Sequence, residues 1–231
     1  MLLENASAVF KKMSHAAMRA GRRSEDVRLV AVTKTVGIDE IRKAADIGLR
    51  VFGENKIQEA TEKITNLKFE ISNSNIEWHL IGHLQRNKAK YAVRLFELIH
   101  SLDSEELAAD LNREAEKAGK VQRVLIQVKL STEETKSGIP EQDLPLLVKK
   151  VTRLENLKLE GLMTIPPFFA DPEPARPFFK RLRELRDELE KKGFVLPELS
   201  MGMSNDYEVA IQEGATLVRI GTAIFGERRD T

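Results

Sequence analysis

From residue 28 to residue 221 the sequence repeats one unit, a short apolar β-branched run followed by a longer segment of helical period. That alternation commits a chain to a parallel sheet, because strands that point the same way need crossover connections, usually helices. Strands are expected at 28–33, 50–53, 77–82, 98–101, 123–129, 158–163, 198–201 and 217–221. Helices are expected at 38–47, 104–118, 174–192 and 205–212, each stopped by a glycine: Gly48, Gly119, Gly193 and Gly214. Eight strands without a Gly-rich dinucleotide fingerprint favour a closed barrel over an open sheet. The expected fold is therefore α/β, a single parallel (β/α)8 TIM-type barrel. The chain has 231 residues, close to the lower limit for a fold that typically takes ~250. The Pro-rich piece 166–177 fits a loop between the sixth strand and its helix, so residues 1–231 are expected to form one domain. Residues 1–21 read as an amphipathic helix packed on the barrel.

Several function classes fall away on composition. There is no cysteine, which removes disulfides, thiolate metal sites and cysteine nucleophiles. The net charge is +1 with the basic residues dispersed, so a nucleic-acid partner is not expected. No apolar run approaches the ~20 residues of a membrane span. The N-terminus has Glu4, Lys11, Lys12, His15 and Arg19 among its apolar positions, unlike a signal peptide, and Glu4 argues against a transit peptide. A cytoplasmic protein is expected. His79 and His83 have the i, i+4 spacing of zinc ligands on a helix, but they fall on a strand end and its loop, so no metal is expected.

In a parallel barrel the chemistry gathers at the C-terminal ends of the strands. Those ends carry Thr33-Lys34, Gly53-Glu54-Asn55, His79 with Gly82-His83, Ser101-Leu102-Asp103, Met163-Thr164, Met201-Gly202-Met203-Ser204, and Arg219 with Gly221-Thr222. Alternation places Val30, Val32 and Lys34 on one strand face, so the lysine would enter the barrel mouth from an apolar floor. Desolvation there favours the neutral amine, the form that attacks an aldehyde. Taken by itself, a lysine leaving a strand for solvent is the commoner case. The phosphate signal is stronger: the loops after the last two strands hold Gly202 and Ser204, and Gly221 and Thr222, where this fold commonly binds phosphate. Ser204 is also expected to cap a helix that begins near Asn205.

The segments RLVAVTK (28–34), FGENKIQE (52–59), WHLIGHLQRNK (78–88), GLMTI (161–165), MGMSND (201–206) and RIGTAIFG (219–226), in this order, resemble the YggS/PROSC family of pyridoxal phosphate homeostasis proteins. Leu80 and Lys129 depart mildly from the family pattern, and Lys129 could alter the charge at the mouth. The resemblance implies the barrel of fold-type III enzymes that bind pyridoxal 5′-phosphate (PLP), without their C-terminal β-domain. It implies that Lys34 is the Schiff-base lysine and that Ser204, Gly221 and Thr222 hold the phosphate. Arg219 would approach the pyridine nitrogen, while Asn55, His79, Met163 and Met201 would line the ring pocket. It implies a role in intracellular PLP (vitamin B6) and amino-acid homeostasis, with PLP-dependent apoenzymes as recipients.

Arginine only donates hydrogen bonds, so Arg219 would face an unprotonated pyridine nitrogen; the electron sink is then weak, which favours holding the cofactor over fast carbanion chemistry. Two alternatives stay open. An amino-acid racemase shares the barrel and cofactor but needs a proton carrier on each face of the ring. Its relatives supply the second from a tyrosine on an added domain; this chain stops five residues after Gly226, so that domain is expected to be absent, along with its dimer. A monomer follows. Of Tyr91 and Tyr207, only Tyr207, one turn past Ser204, could approach the mouth. A cofactor-free Schiff-base aldolase would use Lys34 and the phosphate loops but leaves the motif set unexplained.

Overall fold

A computed structural model of the chain describes residues 1–70, 76–131 and 137–226. The strands are β1 (Arg28–Val32), β2 (Val51–Glu54), β3 (Glu77–Leu80), β4 (Leu98–Leu102), β5 (Gln122–Lys129), β6 (Ile139–Pro140), β7 (Leu157–Met163), β8 (Glu198–Met203) and β9 (Leu217–Ile220). The helices are α1 (Leu2–Arg19), α2 (Ile38–Asp46), α3 (Ile57–Glu70), α4 (Ala89–Leu95), α5 (Glu105–Lys117), α6 (Leu144–Val151), α7 (Arg176–Glu190), α8 (Tyr207–Gln212) and α9 (Thr222–Phe225). The eight expected strands are all present. The sheet runs β4-β3-β2-β1-β9-β8-β7-β5, and the parallel pairing of β4 with β5 closes it into an eight-stranded barrel. The two-residue β6, absent from the expected pattern, pairs only with the end of β5.

Two apolar clusters hold the barrel. The larger fills the layer between strands and helices and includes Phe52, Leu80, Phe96, Ile126, Phe179 and Leu199. The smaller lies inside the barrel: Val30, Val32, Ile81, Leu98, Leu125, Met163 and Leu217. Val30 and Val32 thus face inward, as their alternation requires. Helices end where expected. Gly48, at φ +98°, lets the chain leave α2 through a conformation that a Cβ would oppose.

Helix α1 spans most of the expected N-terminal segment. Its Ala6, Val9, Met13, Ala16 and Ala17 share one buried face, which packs on α8 and α9. Polar bonds pin the same contact. Asn5 Nδ2 donates to the Ile224 carbonyl of α9 at 3.0 Å, and Arg22 Nη1 donates to the Ile211 carbonyl of α8 at 2.9 Å. The N-terminal helix therefore braces the two short helices that follow the last two strands. No helix among the described residues is long and apolar enough to cross a membrane.

Candidate functional site

A cavity of about 530 Å³ opens at the C-terminal ends of the strands. Val32 and Ile81 supply apolar wall, and Asn55, Gln127, Ser204 and Thr222 supply polar wall. Arg219, from β9, lies in its floor at 3% exposure. The Arg219 guanidinium donates through Nη1 to Ser200 Oγ at 2.5 Å and through Nη2 to the Thr164 carbonyl at 2.9 Å. Both acceptors are neutral. Burial lowers its pKa to about 10, against the field of Asp206, so it stays charged at neutral pH.

The turn after β8 depends on glycine. Gly202 has φ +93°, and a Cβ there would sit 2.6 Å from the Ala210 Cβ and 2.9 Å from the Tyr207 Cα. Its absence lets α8 tuck under the strand and turns Met203 and Ser204 toward the cavity. Ser204 does not cap α8, contrary to expectation. Asp206 occupies the cap position before Tyr207 and accepts from the Met203 amide at 2.6 Å. The Ser204 hydroxyl turns the other way and accepts from the amides of Gly221 at 3.2 Å and Ala223 at 3.5 Å. Ser204, Gly221 and Thr222 are therefore brought together with a cluster of donors, on the side of the cavity that the loops suggested.

Lys34 follows β1, two residues beyond Val32, and is half-buried. Among the described residues its ammonium makes no hydrogen bond or ion pair. The backbone around it is fixed from below. Thr35 has φ +61°, a left-handed conformation unusual for a branched residue. Its amide donates to Glu59 Oε1 at 2.5 Å. Lys63 Nζ reaches the Thr33 carbonyl and Glu59 Oε1, both at 2.6 Å, and Glu54 Oε1 at 2.8 Å. Thr33 Oγ1 donates to Glu54 Oε1 at 2.6 Å. Burial raises the Glu54 pKa, opposed by Lys63 and Thr33. The acidic residues of FGENKIQE thus clamp the turn that carries Lys34, a role the sequence pattern did not reveal.

Four expected residues need separate placement. Asn55 lines the cavity. Met163 and His79 face the barrel interior but are fully buried below the cavity, and neither lines it. Met201 packs in the outer layer between strands and helices; its neighbour Ser200 faces inward, and alternation sends Met201 the opposite way. Met203, Gln127, Ile165 and the exposed Phe168 line the cavity without having been expected there. Their signal was position alone, at or just past strand ends. Tyr207 also departs from expectation. It is buried in the outer layer, where burial pushes its pKa up to about 12. Tyr91 lies on α4 with Lys88 over its ring.

The family described as "Alanine racemase, N-terminal domain" matches residues 9–229. The chain is 48% identical over 227 residues to the pyridoxal phosphate homeostasis protein of Aquifex aeolicus (strain VF5), covering 98% of each. It is 40% identical to the protein of the same name from Vibrio cholerae serotype O1, covering 97% of this chain and 95% of that one. PipY of Synechococcus elongatus PCC7942, solved with PLP bound, superposes with TM-score 0.85 at 35% identity, covering 98% of this chain and 100% of that one. An alanine racemase of Clostridium difficile 630 shares the fold at TM-score 0.72 and 17% identity, and the match covers 96% of this chain and 57% of the racemase.

Proposed function

The chain belongs to the pyridoxal phosphate homeostasis protein family, and from that premise we propose that it holds PLP in the cavity above Arg219, joined to Lys34, and takes part in intracellular PLP (vitamin B6) and amino-acid homeostasis. One observation carries the assignment to this cavity. A buried guanidinium, bonded among the described residues to neutral acceptors, lies in the floor of a pocket where the loops after β8 and β9 gather the Ser204 hydroxyl and the Gly221 and Ala223 amides. A buried cation without a bonded carboxylate and a cluster of N–H donors suit a ligand with a ring acceptor and an anionic tail. Lys34 stands in the turn two residues beyond Val32; Val32 lines the cavity and Lys34 does not, so joining PLP requires the lysine side chain to swing in from that turn.

PLP, when bound, supplies an aldehyde conjugated to an electron-withdrawing ring. The protein residues set how far that chemistry goes. Arg219, donor-only and charged at neutral pH, can hydrogen-bond the ring nitrogen but not protonate it in the way a carboxylic acid does. Ser204, Gly221 and Thr222 would hold the phosphate, and Asn55 and Gln127, which line the same cavity, would help to seat the rest of the group. Neither tyrosine is placed to carry a proton at the cavity, because Tyr207 faces the outer layer and Tyr91 lies on α4. A holder of PLP is therefore favoured over a racemase. The same reading makes the chain one cytoplasmic functional unit, monomeric, with PLP-dependent apoenzymes as recipients.

A spectrum and one assay test it. Purified protein given PLP should show a visible absorbance band, lost in Lys34→Ala. Incubated with L-alanine in deuterated water, the loaded protein should leave optical rotation nearly unchanged. Rapid loss of rotation would establish the racemase, and a colourless protein that cleaves carbon–carbon bonds without PLP would establish the aldolase.

A further inference from the structure

The barrel interior beneath Arg219 holds a continuous polar file that the cavity does not touch. His100 Nδ1 lies 2.8 Å from Ser200 Oγ, and His100 Nε2 lies 3.0 Å from His79 Nδ1. His79 Nε2 lies 3.3 Å from Glu77 Oε2, which also meets Arg123 Nη1 at 3.3 Å. His79, His100 and Ser200 are all fully buried. With the bond from Arg219 Nη1 to Ser200 Oγ, the file crosses the barrel from its N-terminal end to the cavity floor.

We propose that Ser200, His100 and His79 form a one-way hydrogen-bond relay, ending on the Glu77 carboxylate, that positions Arg219 for the ligand in the cavity. The inference rests on the reading of that cavity as the PLP site.

The ends dictate the direction. A guanidinium only donates and an ionised carboxylate only accepts. Arg219 fills one lone pair of Ser200, so the serine proton goes to His100 Nδ1. His100 then carries its proton on Nε2 and donates it to His79 Nδ1, and His79 donates from Nε2 to Glu77. The reverse direction fails twice: it sets a His79 lone pair against the carboxylate and leaves the serine proton without an acceptor. Protonating either ring is opposed by burial and by the charges facing it. Arg28 and Arg123 bear on both rings, Arg219 and His79 bear on His100, and only Glu77 pulls the other way, on His79. The relay thus holds Nη1 downward while Nη2 is held by the Thr164 carbonyl, leaving the unbonded Arg219 donors for a ligand, and among the described residues no bonded carboxylate cancels the charge.

The test uses the full chain labelled with ¹⁵N-histidine. Of its four histidines, the resonances of two are assigned with His79→Gln and His100→Gln. In the unloaded protein both rings should be neutral, protonated on Nε2, and unchanged between about pH 6 and 8. Ser200→Ala should disturb the His100 ring signals and leave His15 unmoved, and it should weaken PLP binding by about tenfold. Ser200→Thr, which keeps the hydroxyl, should restore both. A ring protonated on Nδ1 or titrating in that interval overturns the relay. So does a folded Ser200→Ala with unchanged ring signals and PLP affinity. Wild-type protein that fails to bind PLP would overturn the cavity reading and Arg219's role toward a ligand, while the histidine spectra would still decide whether the relay exists.

Discussion

Lys63 sits between the Glu54 and Glu59 carboxylates and the Thr33 carbonyl, one residue before Lys34. Glu54 is fully buried, and among the described residues one of its oxygens has no hydrogen-bond partner. Removing the cation strands that carboxylate, which typically costs about 3–5 kcal/mol. Lys63→Met should therefore lower the urea midpoint strongly and loosen the Lys34 turn; a loss below about 1 kcal/mol would show that the clamp is marginal. The interior histidines carry a pH signature. Burial lowers both pKa values, so the native rings stay neutral while the unfolded chain takes up protons below about pH 6.5. Their contribution is complete above that value and is lost as pH falls below it, at up to about 1.4 kcal/mol per pH unit for each ring. Glu77, held down to about 2 chiefly by its bond to His79, stays ionised throughout. Urea titrations between about pH 7.5 and 5.5 should show this slope, and His100→Phe should reduce it; a flat profile contradicts neutral burial. At this scale the sequence spoke only partly. Alternation gives a side chain's face and not its depth, so His79 and Ile81 share inward parity although only Ile81 reaches the cavity.

The strand starts and ends lay within about two residues of their expected places, because a buried parallel strand is a continuous apolar run with polar residues at its mouth. The pair Ile139–Pro140 is too short to carry a period, and β6 went unseen. The turn after β8 misled for another reason. The register shifts between Ser200 and Met203, so simple alternation ends there and Ser204 faces α9 instead of capping α8. Gly202 is what permits that turn. Gly202→Ala combines a left-handed φ with a close approach to α8 and should destabilise by about 1–3 kcal/mol. It should also reduce the melting-temperature gain produced by added PLP, since the displaced loop holds Ser204. An unchanged gain would mean that the loop does not bind the phosphate.

Across the whole molecule, polarity follows the barrel axis. Charged pairs close the N-terminal end, with Arg28 to Glu198 at 2.6 Å and Arg123 to Glu160 at 2.8 Å. An apolar middle is crossed by the histidine file, and the cavity opens at the other end above Arg219. At that mouth, Lys34 is the amine proposed to join PLP. Borohydride reduction of the loaded protein, tryptic digestion and mass spectrometry test that directly. A phosphopyridoxyl group on Lys34 would block cleavage there, leaving residues 29–42 as one modified peptide. A modification mapped to another lysine, or none on protein saturated with PLP, would contradict it.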